Sequence, residues 1–123
     1  MITVKVNDKE LPFLTTGKTI KICKEELHSD LLRMYDLYHS VLVKGDVPQL
    51  DTIAKLLYCG IKTANPTIYK SYDEFMESLT KARCLLMPDN IVALHNEYTD
   101  FFSLDDGVDE EEKGETPKKK ANQ

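Results

Sequence analysis

Apolar residues recur at helical spacing in four successive segments, and this pattern constrains the fold more than any other feature of the sequence. Each segment carries an apolar stripe on one side and polar residues on the other, as a helix does when it buries one face. The stripes are Leu27, Leu31, Met34, Tyr35, Tyr38, Val41 and Leu42; Leu50, Ile53, Ala54, Leu57 and Ile61; Tyr72, Phe75, Leu79, Ala82 and Leu86; and Ile91, Leu94, Tyr98, Phe101 and Phe102. Because every stripe needs an apolar partner, the pattern predicts a bundle of about four helices around one core.

Local signals set the boundaries of the first two helices. The first is predicted to begin near Lys24 or Glu25 and to end at Gly45. Asp46 is predicted to cap the second helix. Gly60 lies beside the second stripe, where a missing side chain lets another backbone approach.

The boundaries of the last two helices follow from a cap and a proline. Ser71 and Glu74 match a capping box, in which the two side chains satisfy exposed helix amides. Pro88 is predicted to break or kink the chain before the fourth stripe.

A small β element precedes the helices. Residues 2–6 alternate apolar and polar side chains, Asn7-Asp8 is a turn signal, and residues 9–13 return as a second strand. Residues 19–22 fit either a third short strand or the start of the first helix. The predicted fold class is therefore α+β, mainly α, with a short N-terminal β-hairpin followed by the helical bundle.

The composition changes after Leu104. Residues 105–123 hold seven acids against four lysines, a net charge of −3, and offer only Val108 and Ala121 for burial. Such a segment cannot bury enough apolar surface to order itself. We therefore predict a folded domain over residues 1–104 and a disordered acidic tail over 105–123.

Charge and cysteine usage narrow the function classes. The net charge of −5 and the absence of a basic stripe disfavour nucleic acid and anionic membranes as partners. The N-terminus has no signal-peptide pattern, and no apolar run approaches the roughly 20 residues that span a bilayer. Three widely spaced cysteines do not suit a secreted disulfide framework, which favours a reducing cytosol.

No motif in the chain predicts catalysis, a cofactor or a metal. The Gly17-Lys18-Thr19 triplet resembles the end of a phosphate-binding loop, but Pro12 stands where that loop needs its first glycine. His28 and His39 are three helical turns apart, too far to share a metal. We therefore predict no catalytic, cofactor-binding or metal-binding residues and a protein that is not an enzyme.

Several apolar or aromatic residues are left over once the stripes are assigned. Such a surplus indicates a second buried contact, because aromatic and apolar side chains are favoured at protein interfaces. The candidate partner-binding residues are Leu32, Leu37, Val43, Leu56, Tyr58 and Tyr69. For the last three, core packing and an interface are equally compatible with the pattern.

Three segments together resemble the tail assembly chaperones of long-tailed phages and prophages of Gram-positive bacteria. Residues 2–13 are similar to the hairpin that opens that family, with its Asn/Asp-Lys-Glu turn. Residues 53–66 resemble its central helix, in which an Ala/Leu-rich run ends in Tyr-x-Gly-Ile-Lys. Residues 72–75, Tyr-Asp-Glu-Phe, match the start of the helix that follows.

The resemblance implies a function and partners. Such chaperones coat and solubilise the tape measure protein in the host bacterial cytoplasm, and they are absent from the mature virion. Homo-oligomerisation along the client is expected, as is contact with the tail tube protein through a frameshift-extended form. The Lys118-Lys119-Lys120 run suits such a frameshift, because consecutive lysines can be encoded by adenine runs.

Two other interpretations compete with the chaperone. One is a small cytosolic regulatory adaptor, of the antitoxin or anti-repressor type, that binds one protein partner. The other is a small enzyme that uses His95 with Cys84 or nearby acids.

Overall fold

The computed structural model describes residues 2–103. Two strands are followed by five α-helices and one short 3₁₀ helix. The elements are β1 (Ile2–Val6), β2 (Lys9–Phe13), α1 (Gly17–Leu27), α2 (Leu31–Val43), α3 (Leu50–Ala64), α4 (Tyr72–Ser78), the 3₁₀ helix (Ala82–Leu86) and α5 (Pro88–Phe102). The predicted fold class, a short hairpin followed by a mainly helical bundle, is confirmed, whereas the predicted disordered tail lies outside the described residues.

The N-terminal strands form an antiparallel hairpin that places one face on the core. Val4 pairs with Leu11, and both are buried together with Val6 and Phe13. The two turn residues between the strands have positive φ angles of 53° and 67°. This is the backbone of a tight turn whose twist matches that of the strands, and Asn-Asp tolerates it.

The first predicted helix is in fact two helices. A capping box formed by Thr16 and Thr19 starts α1 at Gly17, so residues 19–22 are helical rather than a third strand. His28 then adopts the left-handed conformation with φ of 53°, and Asp30 caps α2 by accepting a hydrogen bond from the Arg33 amide at 3.0 Å. The predicted start near residue 24 is wrong because the capping residue, Thr16, lies eight residues upstream, outside the apolar stripe.

Helix α3 runs through the centre of the fold. Ten of its fifteen residues are buried, and it packs against β2, α1, α2, α4 and the 3₁₀ helix. A helix that is covered on nearly all sides carries apolar residues on more than one face. It begins at Leu50 with Gln49 in the cap position, so the prediction of Asp46 as the cap is wrong.

The hairpin meets α3 at Gly60. The Leu14 amide donates a hydrogen bond to the Gly60 carbonyl at 3.1 Å, and the Phe13 ring covers the glycine. A Cβ atom at this position would lie 2.2 Å from the ring. The hairpin backbone does reach Gly60 through this hydrogen bond, but the space left by the missing side chain is filled by the Phe13 ring rather than by backbone.

Helix α4 ends earlier than its apolar stripe indicates. The Ser71 hydroxyl accepts from the Glu74 amide as predicted, while the Glu74 carboxylate accepts from the amide of Lys70 rather than that of Ser71. At the other end, the Asn7 side chain donates to the Ser78 carbonyl at 2.6 Å and accepts from the Thr80 amide at 3.1 Å. The hairpin turn thus terminates α4, and the rest of the stripe forms the 3₁₀ helix.

Helix α5 begins at Pro88 and is fastened to the hairpin by Asn90. The buried Asn90 side chain accepts from the Lys5 amide and donates to the Lys5 carbonyl, both at 2.7 Å, and also donates to the Cys84 carbonyl at 3.0 Å. Further along α5, the Tyr98 hydroxyl donates to the Leu56 carbonyl at 2.7 Å. Among residues 2–103, no helix is long and apolar enough to cross a bilayer.

Candidate partner-binding grooves

Three of the six predicted partner-binding residues project into solvent from α2. Leu32 is 46% exposed, Leu37 55% and Val43 71%. At about 100° per helical residue, Leu32 and Val43 project from one side of the helix, and Leu37 projects from a direction about 140° away. The exposed residues therefore occupy two flanks of α2 rather than one stripe.

The other three predicted residues, for which core packing and an interface were equally compatible with the sequence, belong to the core or its edge. Leu56 and Tyr58 are fully buried in α3, because that helix is covered on nearly all sides. Tyr69 is half-buried with its ring against the Phe75 ring, 5.1 Å between centroids.

The Tyr58 side chain completes a polar cluster at the edge of the core. Its hydroxyl donates to the Glu26 carboxylate, and the Lys62 ammonium lies 3.1 Å from that carboxylate. Burial, together with the Glu26 hydrogen bond, raises the pKa of the Tyr58 phenol. The cluster joins α1 to α3. These contacts within the chain explain the burial of Tyr58, and no partner protein is needed to account for it.

One apolar groove lies between α1, the start of α2 and the end of α5. We call it the α1–α2 groove, and its volume is about 600 Å³. It is lined by Ile20, Lys24, His28, Ser29, Asp30, Leu31, Leu32 and Phe102. Ile20 and Leu32 are both nearly half exposed, at 45% and 46%, so a substantial part of the lining is apolar and open to solvent.

Three lysines are exposed along α1, and one of them, Lys24, lines the α1–α2 groove. Lys18, Lys21 and Lys24 are exposed at three-residue spacing along α1. Both ion pairs found within residues 2–103 involve other lysines, so these three have no carboxylate partner in the described part of the chain. Of the two acids of α1, Glu26 is paired with Lys62 and Glu25 is exposed. The groove lining itself holds one base and one acid, Lys24 and Asp30.

A second groove, the α2–α3 groove, lies between α2 and the segment that leads into α3. Its volume is about 400 Å³, and it is lined by Leu37, Tyr38, Val41, Asp46, Val47, Pro48, Gln49 and Thr52. Val47 is 70% exposed at its rim. The Tyr38 hydroxyl is buried without a hydrogen-bond partner among the described residues, and burial, with Tyr35 beside it, raises the pKa of this phenol.

The residues that the sequence raised as candidates for phosphate binding, metal binding or catalysis make contacts within the fold. Gly17 and Lys18 open α1, and the Thr19 hydroxyl is buried against the Thr63 hydroxyl at 2.7 Å. The His95 ring stacks on the His39 ring with 5.5 Å between centroids. No group of three or more histidine, cysteine or acidic side chains that could hold a metal is found within residues 2–103.

Two cysteines that are far apart in sequence meet in the core. Cys23 of α1 and Cys59 of α3 are fully buried and in hydrogen-bond contact. The hydrogen bond with Cys23, together with burial, raises the pKa of the Cys59 thiol. Cys84, the predicted partner of His95 in the enzyme interpretation, lies in the 3₁₀ helix and is half-buried.

Sequence reasoning missed most of the groove lining, including the apolar residues Ile20, Phe102 and Val47. Ile20 lies in the segment that fits either a strand or a helix start, Phe102 belongs to a core stripe, and Val47 belongs to no stripe. Val47 lies outside every apolar stripe and next to Pro48, and this is the one sequence signal that could have identified Val47 as a groove residue. Comparison of the chain with family models, curated proteins and solved structures finds no match.

Proposed function

We propose that this protein is a phage tail assembly chaperone that binds and solubilises the tape measure protein during tail tube assembly. The observation that carries the proposal is the pair of grooves on the two flanks of α2, with the apolar side chain of Leu32 exposed in one and that of Leu37 in the other. Grooves of this kind receive the apolar face of an amphipathic helix. The resemblance of residues 2–13, 53–66 and 72–75 to the chaperone family supplies the identity of the client.

The charge of the body suits a holding function. Residues 2–103 carry 12 lysines and arginines against 14 acids, a net charge of −2. A net negative charge opposes self-aggregation of a protein that exposes apolar side chains. The grooves would therefore bind the apolar face of a helical client, while the acidic surface keeps the complex in solution.

The proposed action is binding without chemistry, in the host bacterial cytoplasm and outside the finished virion. Several copies are proposed to self-associate along one client. A frameshift-extended form would add contact with the tail tube protein.

Co-expression tests this proposal. The full chain is produced together with a tape measure protein from the same genome, and the soluble fraction is analysed by size-exclusion chromatography with light scattering. We expect several copies of this chain to co-elute with one client that is insoluble when expressed alone. An insoluble client and a chain that elutes alone as a small discrete species would contradict the proposal and favour the regulatory adaptor.

A further inference from the structure

The Tyr38 hydroxyl differs from those of the other fully buried tyrosines in making no hydrogen bond within residues 2–103. The Tyr98 hydroxyl donates to the Leu56 carbonyl at 2.7 Å, and the hydroxyls of Tyr35 and Tyr58 bond side chains of other helices. Buried polar groups in proteins are nearly always hydrogen-bonded. The exception at Tyr38 therefore points to a partner from outside the chain.

This hydroxyl belongs to a residue of the α2–α3 groove. Tyr38 lines the groove together with Leu37 and Val47, which are 55% and 70% exposed. The hydroxyl is closed to solvent, so a ligand reaches it only after a side chain at the rim turns aside. Side chains as exposed as these two change rotamer readily, and such changes are common when proteins bind each other. The groove thus combines an apolar rim with an unused hydrogen-bonding group.

The charge of the groove selects the chemistry of the group that can bond Tyr38. Burial raises the pKa of the phenol and keeps it protonated, so the hydroxyl donates its proton and needs an acceptor. A lysine ammonium has no acceptor atom. A carboxylate would meet Asp46, the charged residue of the described lining, on a body that is itself acidic. The suitable acceptor is therefore a neutral oxygen.

A helical ligand offers few neutral oxygens. Its backbone carbonyls are already bonded within the helix, and its serine and threonine hydroxyls tend to bond back to the preceding turn. The side-chain amides of asparagine and glutamine project outward and carry a free carbonyl oxygen, together with N–H groups that suit Asp46.

We propose that the Tyr38 hydroxyl binds the side-chain amide of an asparagine or glutamine that stands within the apolar face of the helical client. The inference rests on the proposed function and adds to it a residue that selects one segment of the client over others. Apolar contacts with Leu37 and Val47 are open to any apolar helix. A segment without the amide leaves the hydroxyl unpaired, and a site with a buried unpaired polar group discriminates against such a ligand.

The variant Tyr38→Phe separates a binding role from a structural one, because it removes the hydroxyl and keeps the ring. Since the hydroxyl has no partner in the free protein, we expect the midpoint of thermal unfolding to stay the same or rise. Overlapping peptides of the tape measure protein, followed by fluorescence anisotropy, identify the segment that the wild type binds. The affinity of Tyr38→Phe for this peptide should be roughly three- to tenfold lower, the contribution of one neutral hydrogen bond.

Tyr98→Phe is the matched control. Its hydroxyl is bonded inside the core, and Tyr98 lines neither groove. We expect its midpoint of thermal unfolding to fall by about 4–8 °C, the effect of losing one hydrogen bond in a domain of about 100 residues. Its affinity for the peptide should equal that of the wild type. The two variants should thus show opposite patterns of stability and binding.

A change in the peptide completes the test. Replacing its asparagine or glutamine by leucine should abolish the difference in affinity between the wild type and Tyr38→Phe, because the two groups act as a pair.

The outcomes separate this inference from the proposed function. A loss of stability in Tyr38→Phe as large as that in Tyr98→Phe would overturn the inference, since it would show that the Tyr38 hydroxyl has a partner within the chain. Equal affinities of Tyr38→Phe and the wild type would overturn the inference and leave the proposed function intact. A wild type that binds no tape measure peptide would overturn the proposed function, and the inference with it.

Discussion

Gly60 is a residue at which the hairpin packs tightly against the central helix. The Phe13 ring lies where a Cβ atom at this position would stand, 2.2 Å from the ring carbons. Phe13 is itself fully buried and in edge contact with Tyr98, so the ring has little room to retreat.

We therefore expect Gly60→Ala to lower the free energy of unfolding by about 2 kcal/mol through overpacking. Urea denaturation followed by circular dichroism measures the change. Gly17→Ala is the matched control, because no atom lies within 4 Å of a Cβ built at Gly17. The control should leave the stability unchanged or raise it by less than about 1 kcal/mol. Equal losses in the two variants would contradict the close contact at Gly60.

Asn90 replaces a missing strand neighbour for β1. Its side-chain amide bonds both the amide and the carbonyl of Lys5, as the backbone of an adjacent strand would. Asn90→Ala would leave these two backbone groups and the Cys84 carbonyl without their partner. We expect a loss of about 3 kcal/mol in the free energy of unfolding, since unsatisfied buried polar groups cost about 1–3 kcal/mol each.

Thermal or urea unfolding tests this expectation against Asn96→Ala. Asn96 is an exposed asparagine of the same helix. Its replacement should change the stability by less than about 0.5 kcal/mol. A loss for Asn90→Ala no larger than that of the control would show that the three hydrogen bonds contribute little.

At the scale of elements, the break between α1 and α2 is the feature that positions the α1–α2 groove. His28 stands in the left-handed conformation, which costs a residue with a Cβ more than it costs glycine. We expect His28→Gly to raise the free energy of unfolding by about 0.5–1 kcal/mol. The same substitution at His95, inside α5, should lower it by about 1 kcal/mol. Destabilisation by His28→Gly would contradict a helix end at this residue.

The sequence predicts those elements whose signals are local. The hairpin, the Ser71 cap, the proline that starts α5 and the close approach at Gly60 all depend on neighbouring residues or on a missing side chain. Two helix ends differ from the prediction, for different reasons. Asn7 ends α4 from the hairpin turn, a contact that is distant in sequence. The start of α1 is set by the local capping box of Thr16 and Thr19, which lies outside the apolar stripe.

Sequence also predicted only some of the candidate partner-binding residues correctly as exposed. The α2 residues left outside the stripe, Leu32 and Leu37, are exposed, because α2 is covered on one side only. Leu56 and Tyr58 are buried instead, since α3 is covered on nearly all sides. The number of elements that surround a helix is set by the tertiary structure. It cannot be predicted from the apolar periodicity of that helix alone.

At the scale of the whole molecule, the phenols of Tyr38, Tyr58, Tyr72 and Tyr98 couple folding to alkaline pH. Burial raises the pKa of all four above its ordinary value near 10. Because the folded-state pKa exceeds the unfolded one, the stabilisation is complete below about pH 10 and is lost as the pH rises further. We expect these tyrosines to ionise together with unfolding. Absorbance of the phenolate and circular dichroism, both measured as the pH is raised above about 10, should therefore change in one coincident transition, and ionisation of all four without loss of helix would contradict their burial.

The central claim is that the apolar flanks of α2 hold the client. The most direct measurement is the amount of soluble tape measure protein obtained by co-expression with Leu32→Glu, compared with Val92→Glu. Val92 is 57% exposed on α5 and lines neither groove. A charge buried without a partner is costly, so Leu32→Glu should reduce the soluble complex by roughly tenfold, while Val92→Glu should leave it unchanged. Equal yields from the two variants would contradict the claim that the α1–α2 groove binds the client.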